Sequence, residues 1–116
     1  MDDEKTYFVY MLRCADNSLY TGYTTDLKRR LGEHCGGRKG AKYTRLRRVE
    51  GIAAVWSAET LSAALRLEAL IKHLKKSDKE RLTENAAALA EIFGDKLCAE
   101  SYMAVDCKGI DGLDMC

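Results

Sequence analysis

A hairpin written into residues 7–23 constrains this chain more than any other feature. Tyr7 to Arg13 is apolar, with aromatic and β-branched members, which is strand composition. Ala15-Asp16-Asn17-Ser18 is turn chemistry. Leu19 to Tyr23 reads as the returning strand. Two phenols, Tyr10 and Tyr20, stand at even spacing along this hairpin and can meet on one face. Arg30 follows in the first basic helix. Two phenols beside a guanidinium suit an attack on a phosphodiester.

The elements after the hairpin follow from periodicity and end signals. Thr24 or Thr25 can cap a helix with Asp26 in its favourable first turn, running to about His34 and stopping before Gly36-Gly37. Leu27 and Leu31 would face the core, with Arg30 and His34 on the neighbouring stripe. Residues 35–49 form a basic, glycine-containing loop, and Ile52 to Trp56 a third strand. Thr60 to about Lys76 is amphipathic, with Leu61, Ala64, Leu65, Leu67, Ile71 and Leu74 at helical spacing. Ser77-Asp78-Lys79-Glu80 has the form of a capping box opening another helix that extends to Phe93. Beyond Gly94 no clear period remains.

Composition narrows the class. The 116 residues suit one domain whose core can form without disulfides. Met1-Asp2-Asp3-Glu4 is acidic, no secretory leader is visible, and no run approaches the roughly 20 apolar residues of a membrane span. A cytoplasmic protein with no membrane partner is expected. The five cysteines show no C-x-x-C spacing and are read as reduced thiols. A zinc site from His34 and His73 lacks a ligand-pair signature. The net charge of +1 conceals an asymmetry. Residues 28–48 carry nine Lys and Arg against Glu33 alone, whereas 82–116 carry two against seven acids. The basic stretch includes Lys28, Arg38, Lys39, Lys42 and Arg45 around Gly36-Gly37 and Gly40, with Tyr43 among them. That mixture fits a loop holding a phosphate backbone.

Phosphodiester hydrolysis needs a deprotonated water, neutralised charge at phosphorus and a stabilised leaving oxygen. Tyr10 and Tyr20 are either packing residues or phenols whose pKa neighbouring cations would lower towards a base's range. Arg30 can bind phosphate oxygens bidentately and keeps its proton. His34, one turn on, can orient a tyrosine or touch phosphate. Glu68 lies one turn from Ala64, Leu65 and Ile71 and interrupts the apolar stripe. A carboxylate there is paired, metal-bound or at a cleft edge, since burying it alone is too costly. Magnesium is often held by one or two carboxylates plus water and substrate phosphate, so Glu68 alone suffices. An ion pair with Lys72 at i+4 is the plainer reading.

Phe8-Val9-Tyr10, Tyr20-Thr21-Gly22, the helix with Arg30 and His34, Gly40-Ala41-Lys42-Tyr43-Thr44, and Glu68 within Arg66-Leu67-Glu68-Ala69-Leu70-Ile71-Lys72 occur in one order. In that order and spacing the chain resembles the GIY-YIG endonuclease superfamily, especially its small stand-alone bacterial members, over about residues 6–84. The resemblance implies an α/β fold of α+β type, a three-stranded antiparallel sheet flanked by helices. It implies a metal-dependent endonuclease hydrolysing DNA phosphodiester bonds, in repair or recombination. Tyr10 or Tyr20 would help deprotonate the water, Arg30 would stabilise the pentavalent phosphate, and Glu68 would hold Mg2+ or Mn2+. His34 and Tyr23 match substrate-facing positions, although some relatives carry lysine where this chain has Tyr23.

The expected division is a nuclease-like domain over residues 5–84, then a helix end and acidic tail over 85–116. The tail is too short and acidic to select DNA, so branched, flapped or single-stranded DNA, or a protein partner that targets the domain, is expected. A nucleic-acid-binding module on the same fold with little or no catalysis is the alternative, and a protein-interaction domain a third reading.

Overall fold

The computed structural model describes residues 6–30, 49–98 and 101–105. A four-stranded antiparallel sheet has the order β2-β1-β3-β4. Its strands are β1 (Tyr7–Cys14), β2 (Leu19–Thr24), β3 (Val49–Ala58) and β4 (Tyr102–Ala104). The helices are α1 (Leu61–Lys72), α2 (Lys76–Glu84) and the short α3 (Leu89–Phe93). Residues 27–30 form a further helical turn between β2 and β3.

The hairpin forms as its sequence directs. Asn17 takes a positive φ of 70°, a conformation asparagine tolerates better than most residues, and its N–H bonds to the Cys14 carbonyl. The Asp16 carboxylate accepts from the Ser18 N–H and hydroxyl and stiffens the turn. Arg13, at the end of β1, forks onto both Glu80 oxygens at 2.5 and 2.6 Å and also donates to Asn17. Lys76 donates to the Asn17 carbonyl from the same helix. The hairpin tip is thus fastened to α2.

Register divides the side chains between two faces. Val9 and Met11 point with Ala54, Trp56 and Ala58 towards the helices, where Ala64, Leu67 and Ile71 of α1 and Leu82 of α2 complete the larger core. Tyr10, Leu12 and Cys14 point the other way with Val55 and Val49, and Leu27 packs on them. The C-terminal segment joins the first face. Ala88, Leu89, Phe93 and Leu97 enter the larger core, Trp56 Nε1 donates to the Ala86 carbonyl at 2.8 Å, and the Tyr102 hydroxyl donates to the Ala63 carbonyl at 2.7 Å.

Several local expectations are corrected. Among the described residues the sheet has four strands, not three, because the segment after Gly94 returns to pair Tyr102–Ala104 with β3. Asp26 is the cap of the 27–30 turn, accepting from the Arg29 N–H, while Thr24 Oγ1 accepts from Asp26 itself. Thr60 caps α1 through the Ala63 N–H, but the helix stops at Lys72. The 77–80 capping box does not form: extended Lys75 precedes α2, with no side-chain cap. The helix expected to reach Phe93 breaks at Asn85, which is extended at φ −149° and whose side chain accepts from the Ala87 N–H. Cys14 is buried and Cys98 exposed, both outside any disulfide among the described residues, and His73 Nδ1 lies 2.8 Å from the Ala69 carbonyl. No helix among the described residues is long and apolar enough to cross a membrane.

Candidate active site

The two phenols of the site project from the sheet face opposite the one that Leu67 and Ile71 of α1 cover. In the hairpin register Tyr10 lies opposite Gly22, and Tyr20 opposite Leu12, so both phenols project from one face on a diagonal. Their ring centroids are 6.4 Å apart and tilted by 40°. Gly22 is what lets the Tyr10 ring lie down. A Cβ built there would stand 2.7 Å from the Tyr10 hydroxyl oxygen, 3.0 Å from its Cζ and 3.2 Å from Tyr20 Cε2. This glycine therefore supplies space for close approach rather than backbone freedom.

Arg30 reaches the same spot from the helical turn that Asp26 starts, and its guanidinium hydrogen-bonds the Tyr10 phenol. Glu68, on α1, is close enough to act on the Tyr10 phenol electrostatically. Of the residues singled out from sequence, Tyr10, Tyr20 and Arg30 therefore come together, with Glu68 within electrostatic range of Tyr10. Tyr23 does not join them: opposite Val9, it projects from the α1 face and is partly exposed. Lys28 is exposed beside Arg30. His34, Arg38, Lys39, Lys42, Tyr43 and Arg45 lie outside the described residues.

Electrostatics alters the sequence reading of Tyr10. Cations were expected to lower its pKa. Burial wins: the residue is 1% exposed, and desolvation pushes the phenol up to about 12 against the opposing hydrogen bond from Arg30. Tyr20 and Glu68 push in the same direction as burial. At neutral pH Tyr10 is a neutral hydroxyl, able to donate or accept one hydrogen bond but not to take a proton from water.

The Glu68 side chain is 17% exposed, and Lys72 Nζ lies 3.3 Å from it. Lys72 itself is half exposed, which leaves it free to swing towards solvent. No group of three or more His, Cys, Asp or Glu that could hold a metal occurs among the described residues. One carboxylate at the edge of a phosphate site still suits magnesium or manganese, which take substrate oxygens and water as remaining ligands.

Sequence reasoning missed Gly22 as a spacer, although its place opposite Tyr10 across a hairpin turned at residues 15–18 is the available signal. It also missed the clamp of Arg13 and Lys76 on Asn17 and Glu80, which sets the hairpin against the helices and depends on contacts 67 residues apart.

Comparison with known proteins shows the family. The family described as the GIY-YIG catalytic domain matches residues 6–81. The UPF0213 protein BH0048 of Halalkalibacterium halodurans is 47% identical over 76 residues, covering 66% of this chain and 80% of that relative. A UPF0213 protein of Vibrio cholerae is 47% identical over 89 residues, covering 74% and 85%. The solution NMR structure of the protein EF2693 from E. faecalis is similar with a TM-score of 0.52 at 40% identity, over 74% of this chain and 91% of that one.

Proposed function

Because the chain belongs to the GIY-YIG family, we propose that it is a metal-dependent endonuclease hydrolysing DNA phosphodiester bonds in cytoplasmic repair or recombination. The observation that carries this reading is the Arg30 guanidinium on the buried Tyr10 phenol that lies over Gly22, with the Glu68 carboxylate of α1 within electrostatic range of it. Packing alone does not call for a guanidinium on a buried phenol with a carboxylate in range.

Arg30 binds two oxygens of the scissile phosphate and offsets the charge of the pentavalent state. Tyr10, kept neutral by burial, donates to a phosphate oxygen or fixes the attacking water. Tyr20 is the remaining phenol of the pair, and its phenolate form, after its own proton has passed to solvent, is the candidate to receive the water's proton. Glu68 would hold Mg2+ or Mn2+, which when bound supplies Lewis-acid stabilisation of the leaving 3′ oxygen. Lys28, with Arg38, Lys39, Lys42, Tyr43 and Arg45 of the basic loop, holds the flanking backbone, and His34 assists the phenols. Tyr23, on the other face, would meet DNA only where it wraps the β2 edge.

The Lys72–Glu68 ion pair favours a second reading, a nucleic-acid-binding module with little catalysis. The deciding experiment uses labelled duplex, flap, fork, four-way-junction and single-stranded DNA with magnesium, manganese or EDTA. Metal-dependent cutting that disappears in Glu68→Gln, with DNA binding retained, is expected. Salt-sensitive binding without cutting would establish the second reading instead.

A further inference from the structure

The site face does not end at the phenols. Two strand positions from Tyr10, on the same side of the sheet, stands Phe8. Its register partners are Thr24 on β2 and Ser57 on β3, and Ser57 in turn pairs with Met103 on β4. Thr24, Phe8, Ser57 and Met103 therefore form one row across all four strands. The next row carries Gly22, Tyr10 and Val55, and the Val105 N–H bonds to the Val55 carbonyl at 2.9 Å. Val105 packs with Tyr10 and Phe8 in the smaller cluster, which sets it on this same face. Phe8 and Ser57 are half-buried, and Met103 is 70% exposed. The row contains no charged side chain.

Resting on the nuclease reading above, we infer that the Phe8–Ser57–Met103 row is a shelf for one unpaired nucleobase next to the scissile phosphate. A phosphate held by Arg30 and Tyr10 carries its sugar and base at most one nucleotide away, and the shelf begins about 7 Å along β1 from Tyr10. A duplex turns phosphates and sugars towards a protein surface and calls for cations. An unpaired base offers a flat apolar face, which an aromatic ring and a polarizable thioether accept without regard to sequence. Thr24 stays out of the contact because its hydroxyl accepts from the Asp26 N–H and holds the turn towards Arg30. The shelf is completed by β4, beyond the 6–81 stretch that matches the family. Its Met103 is fixed by the ladder to β3 and by the Ser57 hydroxyl, which donates to the Met103 carbonyl at 3.5 Å.

The test measures binding in EDTA, so that it does not depend on cleavage. The full chain is titrated with a dye-labelled single-stranded oligo-dT and with a duplex of equal length. Oligonucleotides with 2-aminopurine at successive positions report stacking through quenched fluorescence. Phe8→Leu should weaken single-strand binding about 10-fold, since the aliphatic side chain removes the ring on which the base stacks. Duplex binding should change less than about twofold. Phe8→Trp should preserve both affinities and the quenching. Met103→Ser, at an exposed position that the fold tolerates, should cost about threefold on the single strand alone. Equal losses on both DNAs, or no loss in either variant, would overturn the shelf. Metal-dependent cutting by the wild type, assayed in parallel, stands or falls separately.

Discussion

The two faces of the sheet are built on opposite rules. Towards α1 the surface is apolar nearly throughout: Val9, Met11, Trp56, Leu67 and Ile71 are at most 1% exposed. The polar Arg13 and Glu80 are kept to its rim. On the other face the equivalent central position holds Tyr10, equally buried but tied to a guanidinium. One face gives up chemistry for packing. The other accepts a buried hydroxyl and a nearby charge, which cost stability, in exchange for a prearranged polar site. Substitutions on the two faces should therefore separate stability from activity.

The largest effect belongs to the packed face. Leu67→Ala, at a fully buried position of α1, should lose about 2–5 kcal/mol in urea unfolding. Cleavage by the fraction still folded should be near normal, even though Glu68 is the next residue. Loss of cleavage at full stability would merge the two faces into one functional unit. Next comes Arg30→Ala, expected to slow cutting about 10²-fold or more with little change in the melting temperature. Gly22→Ala sharpens the same contrast. Its new methyl must displace the Tyr10 phenol, so single-turnover cleavage should fall by about 10²-fold while the strand survives. A normal rate would return Tyr10 to a packing role.

Which of these features could be read in advance depends on the range of the interactions. The hairpin is local, and its turn residues and alternation are adjacent in sequence, so strands, facing tyrosines and the burial of Leu27 were all legible. Glu68 stood out because one carboxylate broke an otherwise regular stripe. β4 was not legible: three residues have no measurable period, and their partner in β3 lies more than 40 positions away. Asn85 misled because the three alanines that follow it continue a helical composition, while its side chain competes for the backbone and caps the next turn. The Tyr10 pKa misled for a different reason. The neighbouring cation was visible in sequence, but the burial that outweighs it exists only once the sheet, Gly22 and Leu27 have assembled.

Acid should act first on the rim of the packed face. Arg13 and Lys76 hold the Glu80 carboxyl down at about 2, below its ordinary 4.5. A depressed carboxyl stabilises the fold fully above its unfolded pKa and ceases to do so as pH falls through its folded pKa. The window is therefore from about 4.5 down to about 2. Because the pair is partly exposed, screening reduces its worth to about 1–2 kcal/mol. Glu80→Gln should lower stability by that amount at pH 7, and the gap from wild type should close across the window in urea titrations. A constant gap would assign the effect to packing of the side chain rather than its charge.

The smallest prediction concerns a flaw in the packed face itself. Thr21 projects towards α1 from β2, is 4% exposed, and its hydroxyl has no hydrogen-bond partner among the described residues. An unsatisfied buried hydroxyl costs free energy that an apolar group of equal shape does not. Thr21→Val, which exchanges the hydroxyl for a methyl, should raise unfolding stability by up to about 1 kcal/mol and leave cleavage unchanged. If Thr21→Val instead destabilises the protein, the hydroxyl has a partner, a buried water or a group beyond the described residues. If it slows cleavage at unchanged stability, the separation of the two faces fails at this strand, and β2 transmits packing on one side to the phenols on the other.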